Sequence, residues 1–301
     1  MQYILYSIFY LVSLLPLFVL YLISDFAFFL MYYVFGYRTI VVMENLKFAF
    51  PEKSEKERKK IAKEFYRNLT DSFTEMIKLF SISEKQIRRR VLMDLSICDE
   101  LVKKGKSIHF HLGHQMNWEF GNFAMVLISK IPVINIYLRL NNATMDKVIY
   151  RLRSRFGGNL VAAQEFREQS ARLMKNQYAL GLIADQSAPS AHSGYWLHYF
   201  GRPAVFIGGP DKGGRRLNPA VVFLNCVRVK RGYYRYDATL VVEEGKTMAE
   251  GQLTLLYRDF LEKNIRMRPA NYLWSHRRWK IKYKDEYKKN WVDTSAPPKE
   301  D

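Results

Sequence analysis

The side chains best suited to chemistry crowd into one short stretch, His109-Phe-His111-Leu-Gly-His114-Gln-Met-Asn-Trp-Glu119. An imidazole titrates near neutrality, so a positioned histidine can take a proton from a hydroxyl and return it to a leaving group. His114 is the candidate base. Gly113 before it permits a tight turn, and Glu119, five residues on, can bring its carboxylate back to the ring at a strand-to-helix reversal. Such a carboxylate would fix the tautomer and stabilise the imidazolium, as the aspartate of a serine-protease triad does. The pair suits attack of an alcohol on an acyl carbonyl. His109 and His111 alternate on one strand face, and with His114 and Glu119 they could be read as metal ligands. Strand histidines are often core or hydrogen-bonded residues, and no second-shell pattern accompanies these, so the expectation is no metal.

The surrounding elements must carry this cluster to an open edge. From Lys106 onward, short apolar runs at 107–112, 133–138, 159–162, 179–184 and 220–224 alternate with helical stretches, which predicts an α/β sheet with helical crossovers. The run at 234–243 and a helix over 249–266 continue the pattern. In such sheets the strand ends hold the sites, and the cluster sits where a strand gives way to a helix. Ahead of the sheet, Phe50-Pro51 breaks the chain, Ser54 is a candidate cap, and Ile61, Phe65, Leu69 and Phe73 recur every four residues, predicting an amphipathic helix to about Leu79.

The amino-terminus is apolar. Residues 4–23 hold no charged side chain and, as a helix, would cover roughly the 30 Å hydrocarbon core of a bilayer. The apolar stretch 26–35 is too short to span alone and could extend the helix or lie in the interface. A cleaved signal peptide is disfavoured, because no lysine or arginine precedes the apolar run and no small-residue cleavage site follows it. Arg38, Lys47, Lys53, Lys56 and Arg58-Lys59-Lys60 all follow the segment, which by the positive-inside rule places the rest of the chain in the cytoplasm. The chain divides into an anchor (1–37), an α/β domain (38–283) and a basic tail (284–301) expected to be poorly ordered. With 47 basic and 29 acidic residues the net charge is +18, favouring anionic partners; nucleic acid is an awkward one beside a membrane-spanning segment. Cys98 and Cys226 have no metal-type spacing, and a reducing compartment fits them.

One resemblance adds to this reading. Gly113-His114-Gln-Met-Asn117-Trp118-Glu119 resembles the GHxxNWE block of the bacterial lipid A late acyltransferases, within the lysophospholipid acyltransferase superfamily, although the family commonly has Phe-Gly where this chain has Gln115-Met116. Asn45-Leu46 with Phe50-Pro51-Glu52, Arg151-x-Arg153-x-Arg155-Phe-Gly-Gly, and Ala184-Asp185-Gln186-Ser187 follow the family's order. Tyr199-Phe-Gly-Arg-Pro-Ala204, Gly208-Gly-Pro-Asp-Lys212 and Tyr272-Leu-Trp-Ser-His-Arg-Arg-Trp-Lys280 complete the series.

The resemblance implies a central mixed sheet flanked by helices with an amino-terminal membrane helix. It further implies an inner-membrane O-acyltransferase that passes a fatty acyl chain from a thioester, usually on acyl-carrier protein, to a hydroxyl of a lipid A precursor. No cofactor is expected. Position by position, His114 is the base, Glu119 its partner, and Asn117 shapes the turn. Asp185 and Gln186 fall on a block near the site, and Arg139 lies where the family has a basic residue contacting phosphate or acceptor. On its own, Asp185 could equally cap a helix, and Arg277-Arg278 with Trp274 and Trp279 could be an interfacial anchor or a solvated basic segment. Two other readings stand beside this one: the same chemistry on a lysophospholipid, aminolipid or other glycolipid, and a non-catalytic membrane lipid-binding protein.

Overall fold

A proline divides the apolar amino-terminus. The computed structural model describes residues 1–298, and in it the expected single helix over 4–23 is two: α1 (Gln2–Ser13) ends before Pro16, and α2 (Leu17–Phe29) begins after it. Pro16 has no N–H to continue the first helix but is well placed just ahead of the second. The stretch 26–35 is no separate element, because α2 runs into a π-helical turn, Leu30–Val34. Among the described residues, the helix long and apolar enough to cross a membrane is therefore Leu17–Val34. One side carries exposed Phe18, Leu22, Phe26 and Phe29; the other is seated on the domain, where Ser24 donates to Asp71 (2.7 Å) and Arg231 pairs with both Asp25 and Asp71.

Helix α3 (Thr39–Ala49) leads to α4 (Glu55–Lys78), which starts as the sequence suggests. Ser54 accepts from the Glu57 backbone N–H, and the Glu57 side chain reaches back to the Ser54 N–H, a reciprocal cap. Phe65 and Leu69 on its apolar stripe are fully buried. After α5 (Glu84–Arg90), β1 (Val91–Met93) and α6 (Ser96–Lys103), strands and helices alternate: β2 (Ile108–Leu112), α7 (Trp118–Ile128), β3 (Val133–Tyr137), α8 (Ala143–Arg153), β4 (Asn159–Ala162), α9 (Phe166–Leu173) and β5 (Ala179–Ile183). A hairpin of β6 (Tyr195–Tyr199) and β7 (Arg202–Phe206) turns through Phe200 and Gly201, both at positive φ. Helix α10 (Gly209–Leu217), the long pair β8 (Ala220–Lys230) and β9 (Tyr233–Val242), and α11 (Gln252–Met267) follow.

The main sheet has seven strands in the order β1-β9-β8-β2-β5-β3-β4. Strands β8, β2, β5, β3 and β4 are mutually parallel, and β9 runs antiparallel to β8, so the sheet is mixed with helices on its faces, as expected. Strand β2, bearing the histidines, lies in the middle between β8 and β5 and is buried throughout.

Residues 284–298 depart from the flexible tail expected there. Asp285–Asn290 forms a 3-10 turn, the Tyr287 ring stacks on Trp196, Trp291 bridges Trp196, and Asp293 accepts from Arg258 and from the His198 N–H. By composition the stretch 284–301 is not basic either, with four lysines against five acidic residues, and Tyr287 and Trp291, together with the preceding Tyr283, supply apolar area to bury around Trp196. The remainder of that segment, 299–301, lies outside the described residues.

Candidate active site

Parallel register brings the central pair together. In the β2–β5 ladder Leu112 lies opposite Ile183, so His114 and Asp185, each two residues further on, emerge side by side from adjacent strand ends. Neighbouring strands are about 4.8 Å apart, which a histidine and an aspartate can bridge directly. Asp185 grips His114 twice: Oδ1 lies 2.5 Å from Nδ1, and Oδ2 accepts the His114 backbone N–H at 2.9 Å. A carboxylate only accepts, so Nδ1 carries a proton, and in the neutral ring the lone pair is on Nε2. Asp185 is fully buried. Burial pushes its carboxyl up, and the charge and hydrogen bonds of His114 more than reverse this, leaving it below the usual aspartate value. About a fifth of the His114 side chain (20%) reaches solvent, and the Gln186 amide nitrogen lies 3.4 Å from its Nε2.

The hydrogen bond expected from Glu119 to His114 is thus made by Asp185. Glu119 is drawn elsewhere: Arg153, the last residue of α8, donates Nε to Oε2 at 3.1 Å and Nη2 to Oε1. Trp118 Nε1 donates to the same carboxylate at 3.2 Å while its ring meets the His114 ring edge-on at 5.3 Å. Glu119 therefore neighbours His114 through Trp118. Asn117 caps α7, its Oδ1 accepting from the Glu119 and Phe120 N–H groups at 3.0 and 3.3 Å, which fixes where Trp118 and Glu119 point.

Gly113 is needed for close approach: a Cβ there would lie 2.7 Å from Leu261 Cδ2 and 3.6 Å from Asp185 Oδ2. Helix α11 thus packs against the turn, and its Tyr257 donates to the Leu112 carbonyl while accepting from the Ala184 N–H at 3.4 Å, tying the two strand ends together. The departure at Gln115-Met116 is accommodated. The buried Gln115 amide donates to Asn225 Oδ1 and accepts from the Cys226 N–H, and Met116 donates its N–H to Asn271.

The carboxy-terminal block is neither interfacial nor solvated at its centre. Trp274 and Arg278 are 1% and 3% exposed, because this segment backs the turn at His114: Leu273 donates to the His114 carbonyl, and Asn45 donates to the carbonyls of Trp274 and His276 at 2.7 Å. Arg278 lies over the Phe206 ring at 4.2 Å, and burial pulls its guanidinium down. His276 accepts the Ser187 N–H next to Gln186; burial holds it neutral, with its pKa down to about 4.

Arg139, two residues past β3, pairs with Glu165 in an exposed position. Strand β5 separates β3 from β2, so Arg139 stands on the same sheet edge about 10 Å to one side of the His114 position. The upstream histidines do not join the site. His109 meets Tyr178 Oη at 3.2 Å, and His111 packs between Phe223 and Tyr257; burial pulls them to about 3 and about 4. Among the described residues no group of three His, Cys, Asp or Glu is placed to hold a metal ion. No local sequence signal marks the roles of Arg153 and Tyr257: the Arg151-x-Arg153-x-Arg155 block does not state what it pairs with, and the end of α8 at Arg153 is seen only in the fold.

Residues 1–281 match the family model described as bacterial lipid A biosynthesis acyltransferase. Over 249 residues the chain is 25% identical to a lipid A biosynthesis palmitoleoyltransferase of Escherichia coli (strain K12), covering 81% of this chain and 79% of the relative. A lipid A biosynthesis acyltransferase of Shigella flexneri matches with the same identity and coverage. The histidine at the strand end, the ordered blocks around it and this near full-length match agree: the chain belongs to the bacterial lipid A biosynthesis acyltransferase family.

Proposed function

We propose that this acyltransferase moves a fatty acyl chain from a thioester on acyl-carrier protein to a hydroxyl of a lipid A precursor, with His114 as general base. The observation that carries the reading is the double grip of Asp185 on His114, which leaves Nε2 as the open basic atom. Nε2 takes the acceptor's hydroxyl proton as the oxygen attacks the thioester carbonyl. The tetrahedral intermediate collapses to an ester, and the imidazolium returns the proton to the departing thiolate. Asp185 holds the tautomer and stabilises the imidazolium. In place of a His114–Glu119 dyad, Glu119 acts with Arg153 and Trp118 to set the wall beside the base. Gln186 rests near Nε2 and gives way to the acceptor hydroxyl.

The apolar 1–37 unit holds the 38–283 domain at the inner membrane, on the cytoplasmic side, because the basic residues follow the apolar segment. The net charge of +18 suits both an acidic carrier protein and a phosphorylated lipid. Arg139 would meet acceptor phosphate after releasing Glu165. The test is mass spectrometry of total membrane lipids from host cells with the gene deleted, then restored with wild type or His114→Ala. A lipid A species lighter by one acyl chain, rescued by wild type alone, supports the reading. Unchanged lipid A would remove the acceptor assignment, and rescue by His114→Ala would remove the base.

A further inference from the structure

Helix α4 buries a carboxylate that the chemistry above does not use. Glu75 is fully buried and accepts three hydrogen bonds: Tyr21 Oη to Oε1 at 2.8 Å, Asn117 Nδ2 to Oε2 at 2.8 Å, and Tyr234 Oη to Oε2 at 2.6 Å. All three partners donate, so they fit the ionised carboxylate. Burial nevertheless pushes its pKa up, so the group is costly and must be held by these donors. Asn117 is the residue whose Oδ1 starts α7. Because Oδ1 takes two backbone N–H groups, its amide can be oriented only one way, with Nδ2 on Glu75. Tyr236 donates to the Asn117 carbonyl and closes the other side. Tyr21 comes from the apolar helix Leu17–Val34. A chain of two hydrogen bonds, Tyr21 to Glu75 to Asn117, thus joins the membrane-facing helix to the turn that holds Trp118 and Glu119 beside His114.

We infer that Glu75 is a positioning residue, and that Tyr21 completes its clamp on Asn117 so that the turn beside the catalytic base is set while the apolar helix is seated on α4. The helix is then part of the enzyme's working geometry as well as its tether. Ser24 supplies an internal control, since it joins the same two helices through Asp71 without reaching the turn. Tyr21→Phe removes one hydroxyl and keeps the ring over Arg231.

The experiment compares Tyr21→Phe, Glu75→Gln and Ser24→Ala in the full chain in detergent micelles, at a temperature where all three remain folded. Hydrogen–deuterium exchange of the peptide containing the Glu119 and Phe120 amides is the first readout, and it needs no substrate. Faster exchange there in Tyr21→Phe and Glu75→Gln, but not in Ser24→Ala, is the expected result. The second readout rests on the acyl-transfer reading: kcat should fall roughly tenfold in Tyr21→Phe and up to about a hundredfold in Glu75→Gln, with KM for the acyl donor unchanged, the loss expected when a reacting group is held loosely. Exchange unaltered in the clamp variants, or altered equally in Ser24→Ala, overturns the inference. Absence of acyl transfer in wild type would count against the proposed function and leave the exchange result to decide the clamp.

Discussion

Replacing Asp185 with asparagine changes one atom and should nearly silence the enzyme. The amide would still accept the His114 backbone N–H through its oxygen, keeping the hydrogen bond now 2.9 Å long. Its nitrogen, however, would donate to Nδ1 where the carboxylate now accepts at 2.5 Å. The imidazole proton would then move to Nε2, the atom that must be unprotonated to act as base, and the imidazolium would lose its buried counter-charge. Serine-protease triads lose about ten-thousandfold in kcat when their aspartate is made an amide, about 5 kcal/mol of barrier. With the same grip on the ring, Asp185→Asn should cost kcat about a thousand- to ten-thousandfold. KM for the lipid acceptor should stay within about threefold, because Asp185 is fully buried behind the ring. The assay is single-turnover transfer of a radiolabelled acyl chain by purified protein, with thermal unfolding run in parallel. A folded Asp185→Asn protein retaining more than a tenth of wild-type kcat would refute the claim that Asp185 orients the base.

Other expectations follow from the same geometry. Arg153→Met should leave the Glu119 carboxylate buried without its counter-ion and cost about 3 kcal/mol of stability, and Glu119→Gln in the same chain should recover much of it; thermal unfolding of the two single variants and the double variant checks this, and additive losses would contradict the coupling. Gly113→Ala should destabilise by about 1–3 kcal/mol, since its methyl would press on Leu261, and Leu261→Ala should partly relieve the pressure, as denaturant midpoints would show. His109 and His111 are neutral in the fold, with values of about 3 and about 4, whereas in the unfolded chain they protonate below about pH 6.5. The unfolded state therefore binds more protons on acidification, and these two rings should remove about 3 kcal/mol of stability per pH unit between about pH 6 and pH 4. A His111→Phe chain with an unchanged slope of stability against pH would show that this ring is not responsible.

The placing of His114 just past a strand end was legible because a glycine-histidine turn at the end of an apolar run is a local signal. Its partner was less so. Glu119 is near in sequence and drew the pairing, while Asp185 reaches the ring only because β5 is the spatial neighbour of β2, and no local pattern states strand order. Arg153 escaped for the same reason: its partner is set by where α8 ends against α7. The strand positions of the parallel sheet were readable from their apolar runs, but β8 continues to Lys230, beyond the apolar stretch, because its later residues are held by pairing with β9. Hydropathy alone read residues 4–23 as one helix, and Pro16 overrode it through backbone chemistry. Trp274 and Arg278 look like headgroup anchors by type; that they back the turn at His114 depends on Asn45, more than two hundred residues earlier. Residues 285–293 show composition misleading in the other direction, since Tyr287 and Trp291 pack with Trp196 in a segment that is otherwise mostly polar.

The central claim is that His114, held by Asp185, moves an acyl group onto a lipid A precursor, and the most direct test is the reaction itself. Purified protein in mixed micelles would be given acyl-carrier protein loaded with a fatty acyl thioester and a lipid A precursor, and the lipid mass followed over time. The account predicts a product heavier by one acyl chain with wild type, stoichiometric release of free carrier thiol, and no product with His114→Ala. Wild-type turnover undiminished in folded His114→Ala would contradict it.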